Sequence, residues 1–324
     1  MRRVLVVGAT GQLGREIVRL GCRTGQYRMR ALVRNGGAAA RLHAFDVEQV
    51  TGDLKDAQSL ADACCGVDVV IATATVVFPR RGDTFAHDEE AGYRNLVAAC
   101  QAAGVQRIIF ASLATPLNAA NCAASATYRA KALVEHLIEQ SGMAYTIVRC
   151  GPFMDDYFAL IGSRIPLRGE VVATLDRARG PSRWFRHLTG DSIERWGWAL
   201  IPGACTLRHA FVAVGDVAGF MVSAIENSGR REVRPFGGRH SMSWRELAQL
   251  YAELLERPVR TFAVPAFLIG WARRAAWWSE AIENQLAILE ILARHETDVL
   301  ALEPAAGSTT ARRYLSAKLE LAER

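Results

Sequence analysis

Three glycines open this chain's chemistry. In "VLVVGATGQLGREIV", residues 4–18, Gly8, Gly11 and Gly14 follow a run of apolar residues and lead into a helical pattern. Gly8 permits a tight turn off a strand. Gly11 allows a diphosphate to approach the backbone, and Gly14 lets the following helix lie close to the sheet. The helix N-terminus then offers unpaired N–H groups and a partial positive charge to phosphates. These spacings point to a dinucleotide, the bland reading being a glycine-rich turn without a ligand. About twenty residues on, where an acid would take the ribose 2′-hydroxyl of NAD, the chain reads "LVRN" with Arg34. A guanidinium suits a 2′-phosphate, so the spacing favours NADPH over NADH. The competing reading is an exposed arginine after a strand.

These residues need a frame to position them, and the first half supplies one. Strand signals in "RVLVVGA", "RMRALVR", "VEQVTGDL", "VDVVIATAT", "QRIIFASLA" and "AYTIVRCG" alternate with helical segments. Near-continuous apolar strands separated by helices predict a parallel sheet covered on both faces. The fold class is therefore α/β: a Rossmann-type, doubly wound parallel sheet with a smaller, mostly helical substrate lobe. The expected division is a dinucleotide-binding domain at 1–154, with 205–228 returning to it, and a substrate lobe from 155–204 and 229–324. Ser243, with Glu246 three residues later, marks a helix start, and Asp216 is read as a helix cap.

Composition narrows the function classes. The 324 residues are 50% hydrophobic, enough for a large core, and the formal net charge is +6. The basic residues are scattered rather than in runs, which argues against nucleic acid and for an anionic cofactor site. Seven cysteines without paired spacing and few histidines argue against a metal site. Reduced cysteines suit a soluble, cytoplasmic chain. The apolar stretch 262–278 is interrupted by Pro265, Arg273 and Arg274 and is too short to span a bilayer. Three roles stand open for it besides internal packing: a dimer contact, a membrane-surface helix or a lid.

The segments "GATGQLGREIV", "LVRN", "GDL", "GVDVVI", "RIIFAS", "SGMAYTIVRCGPFM" and "VAVGDVAGFM" together resemble the atypical short-chain dehydrogenases of the NmrA-like type. The C-terminal part is similar to the branch that includes the Rossmann-fold accessory subunit of respiratory complex I. The resemblance implies NADPH contacts residue by residue. Thr10, Gly11, Gln12 and Leu13 fall in the diphosphate turn and Arg34 in the adenosine-phosphate slot. Asp53 and Leu54 lie beside the adenine, and Ala72 and Thr73 pass the ribose. Cys150, Gly151, Pro152 and Phe153 form the turn that touches the nicotinamide amide, with Cys150 where the family usually has proline.

The same resemblance bears on catalysis. Typical short-chain dehydrogenases use a Ser, a Tyr and a Lys, the last two spaced Y-x3-K. The lysine ammonium lowers the phenol's pKa and holds the nicotinamide ribose. Here "ATYRAKALVEHLI" has Lys131, but its tyrosine is Tyr128, one position late, with Thr127 in the usual slot. One helical residue rotates a side chain by about 100°, although i and i+3 still share a face. Ser112, in "FAS", stands where the family's serine falls. The structural alternatives are a surface Lys131 paired with Glu135, a Tyr128 with no proton to move, and a Ser112 that only ends its strand. On the substrate side, Asp155, Asp156 and Tyr157 are possible proton donors, and Trp184, Phe185, Trp196 and Trp198 could line an apolar pocket or cover core. Arg177, Arg179, Arg183 and Arg186 could meet an anion, and His187 is a lone histidine.

The expectation is an NADPH-dependent reductase of a small, fairly apolar molecule such as a quinone, enone, imine or carbonyl. It would have no nucleic-acid partner and no integral membrane segment, and a homodimer is open. The alternative is a non-catalytic NADP(H)-binding redox sensor or assembly protein. A sugar-nucleotide epimerase or dehydratase ranks last, since it needs the missing Y-x3-K.

Overall fold

The computed structural model describes residues 1–34, 37–76, 84–177, 187, 189–227, 229–297 and 309–321. Backbone contacts divide the chain into two compact units, 1–113 with 117–149 and 214–234, and 114–116 with 150–213 and 235–324.

The first unit is built on a parallel sheet. Its strands are β1 (Arg2–Val7), β2 (Tyr27–Val33), β3 (Glu48–Thr51), β4 (Val69–Ala72), β5 (Arg107–Leu113), β6 (Ala144–Cys150) and β9 (Arg231–Phe236). They lie in the order β3-β2-β1-β4-β5-β6-β9. The helices α1 (Gln12–Thr24), α2 (Ala57–Cys64), α3 (Gly92–Ala102), α4 (Ala119–Ala124), α5 (Ala126–Gln140) and α8 (Val214–Ser223) connect and cover them. Val4 to Val7 and Val69 to Ala72 are buried throughout, as strands covered on both faces must be. The core joins Leu5, Val7, Val70, Ile108 and Phe110 of the sheet to Leu60, Leu96, Val134 and Ile138 of the helices. Tyr93 meets Phe110 edge to face at 5.4 Å.

The strand order reverses between β1 and β4. Chains of this kind hold ligands in the crevice outside the carboxyl ends of the strands at that point. Val7 pairs with Ala72 in register, so the turn after β1 and the segment after β4 leave the sheet side by side.

Several expectations need correction. A seventh strand, β9, joins the sheet edge although its Pro235 cannot donate a ladder hydrogen bond, which an edge strand tolerates. The return to the first unit starts at 214 rather than 205. Residues 150–154 and 205–213 cluster with the second unit, because Val212 N donates to Pro152 O at 3.0 Å and Met154 N to Val212 O at 2.9 Å. Asp216 lies in the first turn of α8, which starts two residues earlier, and is not its cap.

The regular structure of the second unit is mainly helical. It contains α6 (Met154–Leu160), α7 (Ser192–Trp196), α9 (Trp244–Leu254), α10 (Ala266–Ala275), α11 (Glu280–Arg294) and α12 (Ala311–Glu320). β7 (Trp198–Pro202) pairs in parallel with β11 (Arg260–Val264), and β8 (Arg208–His209) pairs antiparallel with β10 (Met242–Ser243). Phe158, Phe211, Trp244, Tyr251 and Leu315 form its core. Ser243 and Glu246 make the expected reciprocal cap at the start of α9.

Candidate functional site

The glycine turn has the geometry its spacing implies. Gly8 sits at φ +91°, and a Cβ there would lie 2.7 Å from both Thr73 Oγ1 and Ala74 N. A Cβ on Gly14 would lie 2.2 Å from Gly8 O, so only glycine lets α1 approach the turn this closely. Gly11 is the residue that precedes α1. It brings no side chain to the first-turn amides, and that turn carries no carboxylate. Thr10, Gly11, Gln12 and Leu13 thus frame a helix N-terminus suited to a diphosphate. The cradle fits the group.

Arg34 is exposed, one residue beyond β2. Arg41, which the sequence reading passed over, donates to Thr10 O at 3.3 Å, while Arg15 Nε donates to Arg41 O at 3.1 Å. A second guanidinium therefore stands beside the diphosphate turn. Its only signal in the sequence was a basic residue in the β2–β3 crossover. Asp53 accepts from Lys55 N and ties to Ser59, and Leu54 O accepts from Asn95. Ala72 ends β4 fully buried, and Thr73 N and Oγ1 both donate to Val7 O.

Lys131 is the site's most informative residue. It projects from α5 but is only 5% exposed, so it is not a surface lysine. Its Nζ donates to Ala111 O at 3.0 Å and stands 4.6 Å from the centroid of the Phe110 ring. The carboxylate facing it is Glu89, at 3.9 Å, whereas Glu135, the partner anticipated from i+4 spacing, pairs with Arg149. Glu89 is itself 1% exposed, on a π-helical turn spanning Ala86–Ala91. It accepts from Thr75 Oγ1 and Val76 N, each at 3.0 Å. Burial pushes its carboxyl above the usual range, against the opposing pull of Lys131, Val76 N–H and Thr75. Sequence reasoning missed Glu89 because "HDEE" reads as a solvated run, and a π-turn leaves no periodic signature.

Ser112 and Tyr128 divide differently. Ser112 Oγ donates to Glu135 Oε1 at 2.5 Å, and Glu135 also receives Arg149 Nε at 3.2 Å and Nη2 at 2.6 Å. The serine's proton is thus directed at Glu135. Tyr128 is buried in the first turn of α5, where its N–H donates to Ser125 Oγ at 3.5 Å.

The turn Cys150–Phe153 lies in the second unit. Gly151 N donates to Phe236 O at 2.8 Å, and a Cβ on Gly151 would stand 2.4 Å from Ala210 O. Phe153 precedes α6. Asp155 is buried and interacts with Tyr314, whose phenol is pushed up by burial and then by that carboxylate. Trp196 and Trp198 are 58% and 43% exposed, so they do not form buried pocket walls. Arg179, Arg183, Trp184, Phe185 and Arg186 lie outside the described residues, as does the side chain of Arg177. His187 is exposed. A cleft in this unit is lined by Met154, Phe211, Arg239, Met242, Gln249 and Leu250 among others. Among the described residues no group of three or more His, Cys, Asp or Glu could hold a metal ion. No described helix is long and apolar enough to cross a membrane.

A parallel α/β sheet with a glycine cradle at its switch point defines a dinucleotide-binding class of protein. The model of the NmrA-like family matches residues 1–268, and the chain belongs to that family. It is 29% identical over 298 residues to the photosystem II assembly factor Ycf39 of Cyanophora paradoxa, covering 90% of this chain and 82% of that protein. It is 26% identical over 262 residues to the NAD(P)H azoreductase of Xenophilus azovorans, covering 81% and 77%. Its fold matches that of the NADPH-dependent quinone oxidoreductase of Escherichia coli, solved with NADPH. The TM-score there is 0.70 at 20% identity, over 98% of this chain and 99% of that one.

Proposed function

We propose that this protein is an NADPH-dependent reductase of a small, fairly apolar organic molecule: a quinone, enone, imine or carbonyl. The observation that carries the reading is the buried Lys131–Glu89 pair, tied to β5 and to the segment after β4 of the sheet that bears the glycine cradle. Burying two opposite charges is costly, and such a pair gives weak stability compared with apolar packing. A buried carboxylate shifted by desolvation and facing a specific cation is a functional-site candidate on physical grounds. The E. coli quinone oxidoreductase and the azoreductase named above support the choice of reductase and of cofactor.

In this reading the amides of residues 11–13 hold the diphosphate, with Arg41 beside that turn, and Arg34 meets the 2′-phosphate. The bound nicotinamide supplies hydride. Lys131 holds the ribose, with Glu89 as its buried counter-charge. The proton that completes the reduction comes from Tyr128 or, failing that, from the Lys131 ammonium, which solvent recharges. Ser112 is assigned a positioning role, because its proton is already given to Glu135.

The test is NADPH oxidation across a panel of quinones, enones, imines and azo compounds, with wild type and Lys131→Met. Turnover with one class, lost in the variant while NADPH still binds, supports the reading. Tight NADPH binding without turnover across the panel overturns it. That result favours the second reading, a cofactor-binding assembly protein, which the likeness to Ycf39 and the displaced tyrosine support. A stable protein partner recovered together with NADPH is its expected signature. Location in the cytoplasm is proposed alongside either reading.

A further inference from the structure

Residues 259–279 contain no acidic side chain and three arginines, Arg260, Arg273 and Arg274. Within them stand Phe262, Phe267, Leu268, Trp271, Trp277 and Trp278, at 56%, 68%, 46%, 70%, 82% and 61% exposure. Eleven large apolar side chains are exposed among the described residues, and six of them fall here. Singly scattered apolar residues need no explanation, but a concentration of this kind marks an interaction surface.

The helix α10 has two distinct faces. Ile269 and Gly270 are buried toward α11, where a Cβ on Gly270 would lie 2.6 Å from Glu290 Oε1. Arg273 reinforces that packing through Glu290 at 2.8 Å and Glu283 at 3.7 Å. Phe267, Trp271 and Arg274, spaced i, i+4 and i+7, lie on the exposed side, and Trp277 and Trp278 continue it into the following turn. The inner arginine is neutralised by α11, whereas the outer one shares its face with aromatic rings.

We propose that this face docks on an anionic lipid surface. The rings of Phe267, Trp271, Trp277 and Trp278 would enter the boundary between headgroups and acyl chains, and Arg260 and Arg274 would meet lipid phosphates. Amphipathic indole rings prefer that boundary, and flanking arginines add attraction to anionic lipid. The ten-residue helix lies on the bilayer rather than spanning it. Charge selects this occupant over a second copy of the chain. Two copies would bring together two segments that each carry arginines and no acid between residues 259 and 279.

The experiment uses the full chain with sedimenting vesicles of phosphatidylcholine alone and of phosphatidylcholine with phosphatidylglycerol in equal parts. Trp271→Ser/Trp277→Ser/Trp278→Ser and Arg274→Ser are compared with wild type, and thermal melting checks that each variant is folded. The expected result is cosedimentation with the anionic vesicles, a blue shift of tryptophan emission and quenching by brominated lipid. The triple variant should lose at least tenfold in partitioning, and Arg274→Ser or added salt should weaken it several-fold. Absence of vesicle binding by wild type, or equal binding by the triple variant, overturns the proposal. So does a wild-type dimer in sedimentation velocity that the triple variant abolishes while vesicles are ignored, which would assign the face to a second copy.

Discussion

Lys131 Nζ and Glu89 Oε1 stand 3.9 Å apart, both side chains almost fully buried. Neither is adjacent to the other in the sequence, and each is tied to a different strand end. Lys131 is anchored on Ala111 O of β5, and Glu89 on Thr75 and Val76, just beyond β4. The pair therefore bridges the carboxyl ends of two neighbouring strands, beside the switch point of the sheet.

Replacing Lys131 by Met should leave Glu89 without its cation, so its carboxyl, already raised by burial, rises further. A raised folded-state pKa gives stability that is fully present below the unfolded value and lost as pH climbs through the folded one. The variant should therefore lose stability relative to wild type as pH rises above the ordinary carboxylate range, by at most about 1.4 kcal/mol per pH unit. Urea midpoints at several pH values measure this, and Lys131→Met/Glu89→Gln should flatten the difference. Reductase turnover should fall by about 10²–10⁴-fold in Lys131→Met, the range of a lost acid–base group.

Arg34 is exposed after β2, so its removal should spare the fold. Arg34→Ala is expected to weaken NADPH by about 1.5–3 kcal/mol, the range for a hydrogen bond to a charged group, and to leave NADH unchanged. Calorimetric titration with both cofactors reads the ratio directly. Equal loss for the two would show that Arg34 does not meet the 2′-phosphate. If Arg41 shares the task, Arg34→Ala/Arg41→Ala should widen the loss for NADPH selectively.

Gly14→Ala tests the cradle. Its Cβ would stand 2.2 Å from Gly8 O, a clash with backbone that no rotamer relieves. Overpacking of this kind costs about 1–3 kcal/mol. The expected outcome is a lower Tm together with impaired NADPH binding, because α1 must retreat from the turn. Gly25→Ala is the useful contrast. A Cβ there meets nothing within 4 Å, so its penalty should come from the φ of +64° and should leave binding intact.

His209 governs acid stability in the second unit. It is fully buried beside Phe211 and Trp244, its Nδ1 lies 2.9 Å from Thr297 Oγ1, and burial lowers its pKa to about 4. Between the ordinary value of 6.5 and about 4, the unfolded chain binds a proton that the folded one refuses. Stability should therefore fall as pH drops through that window, by at most about 1.4 kcal/mol per unit. Denaturant midpoints at pH 7, 5.5 and 4.5 should decline in wild type. The decline should be shallower in His209→Asn, which cannot titrate there.

The cofactor half of the site was legible because its signals are local. Gly8, Gly11 and Gly14 act through their own backbone angles and clearances, and Arg34 follows a strand that Met29, Ala31, Leu32 and Val33 already declare. Strand β9 was not legible, since "REVRPF" carries a proline and lacks the continuous apolar character of a buried strand; its edge position tolerates both. Ser112 was found by position, but its hydrogen bond to Glu135 depends on which way two side chains turn across a strand–helix contact.

The alternation of apolar strands and helices, the glycine turn and the arginine after β2 determined by themselves a parallel dinucleotide-binding sheet, because each acts within a few residues of its own position. Only the tertiary structure decided that Lys131 is buried, that Glu89 of another crossover faces it, and that six apolar side chains of residues 262–278 stay outside. Burial and charge pairing are set by segments far apart in the chain. A lysine on a helix reads identically whether its amine meets water or a carboxylate 42 residues away, and only the packing of the sheet and its helices separates the two.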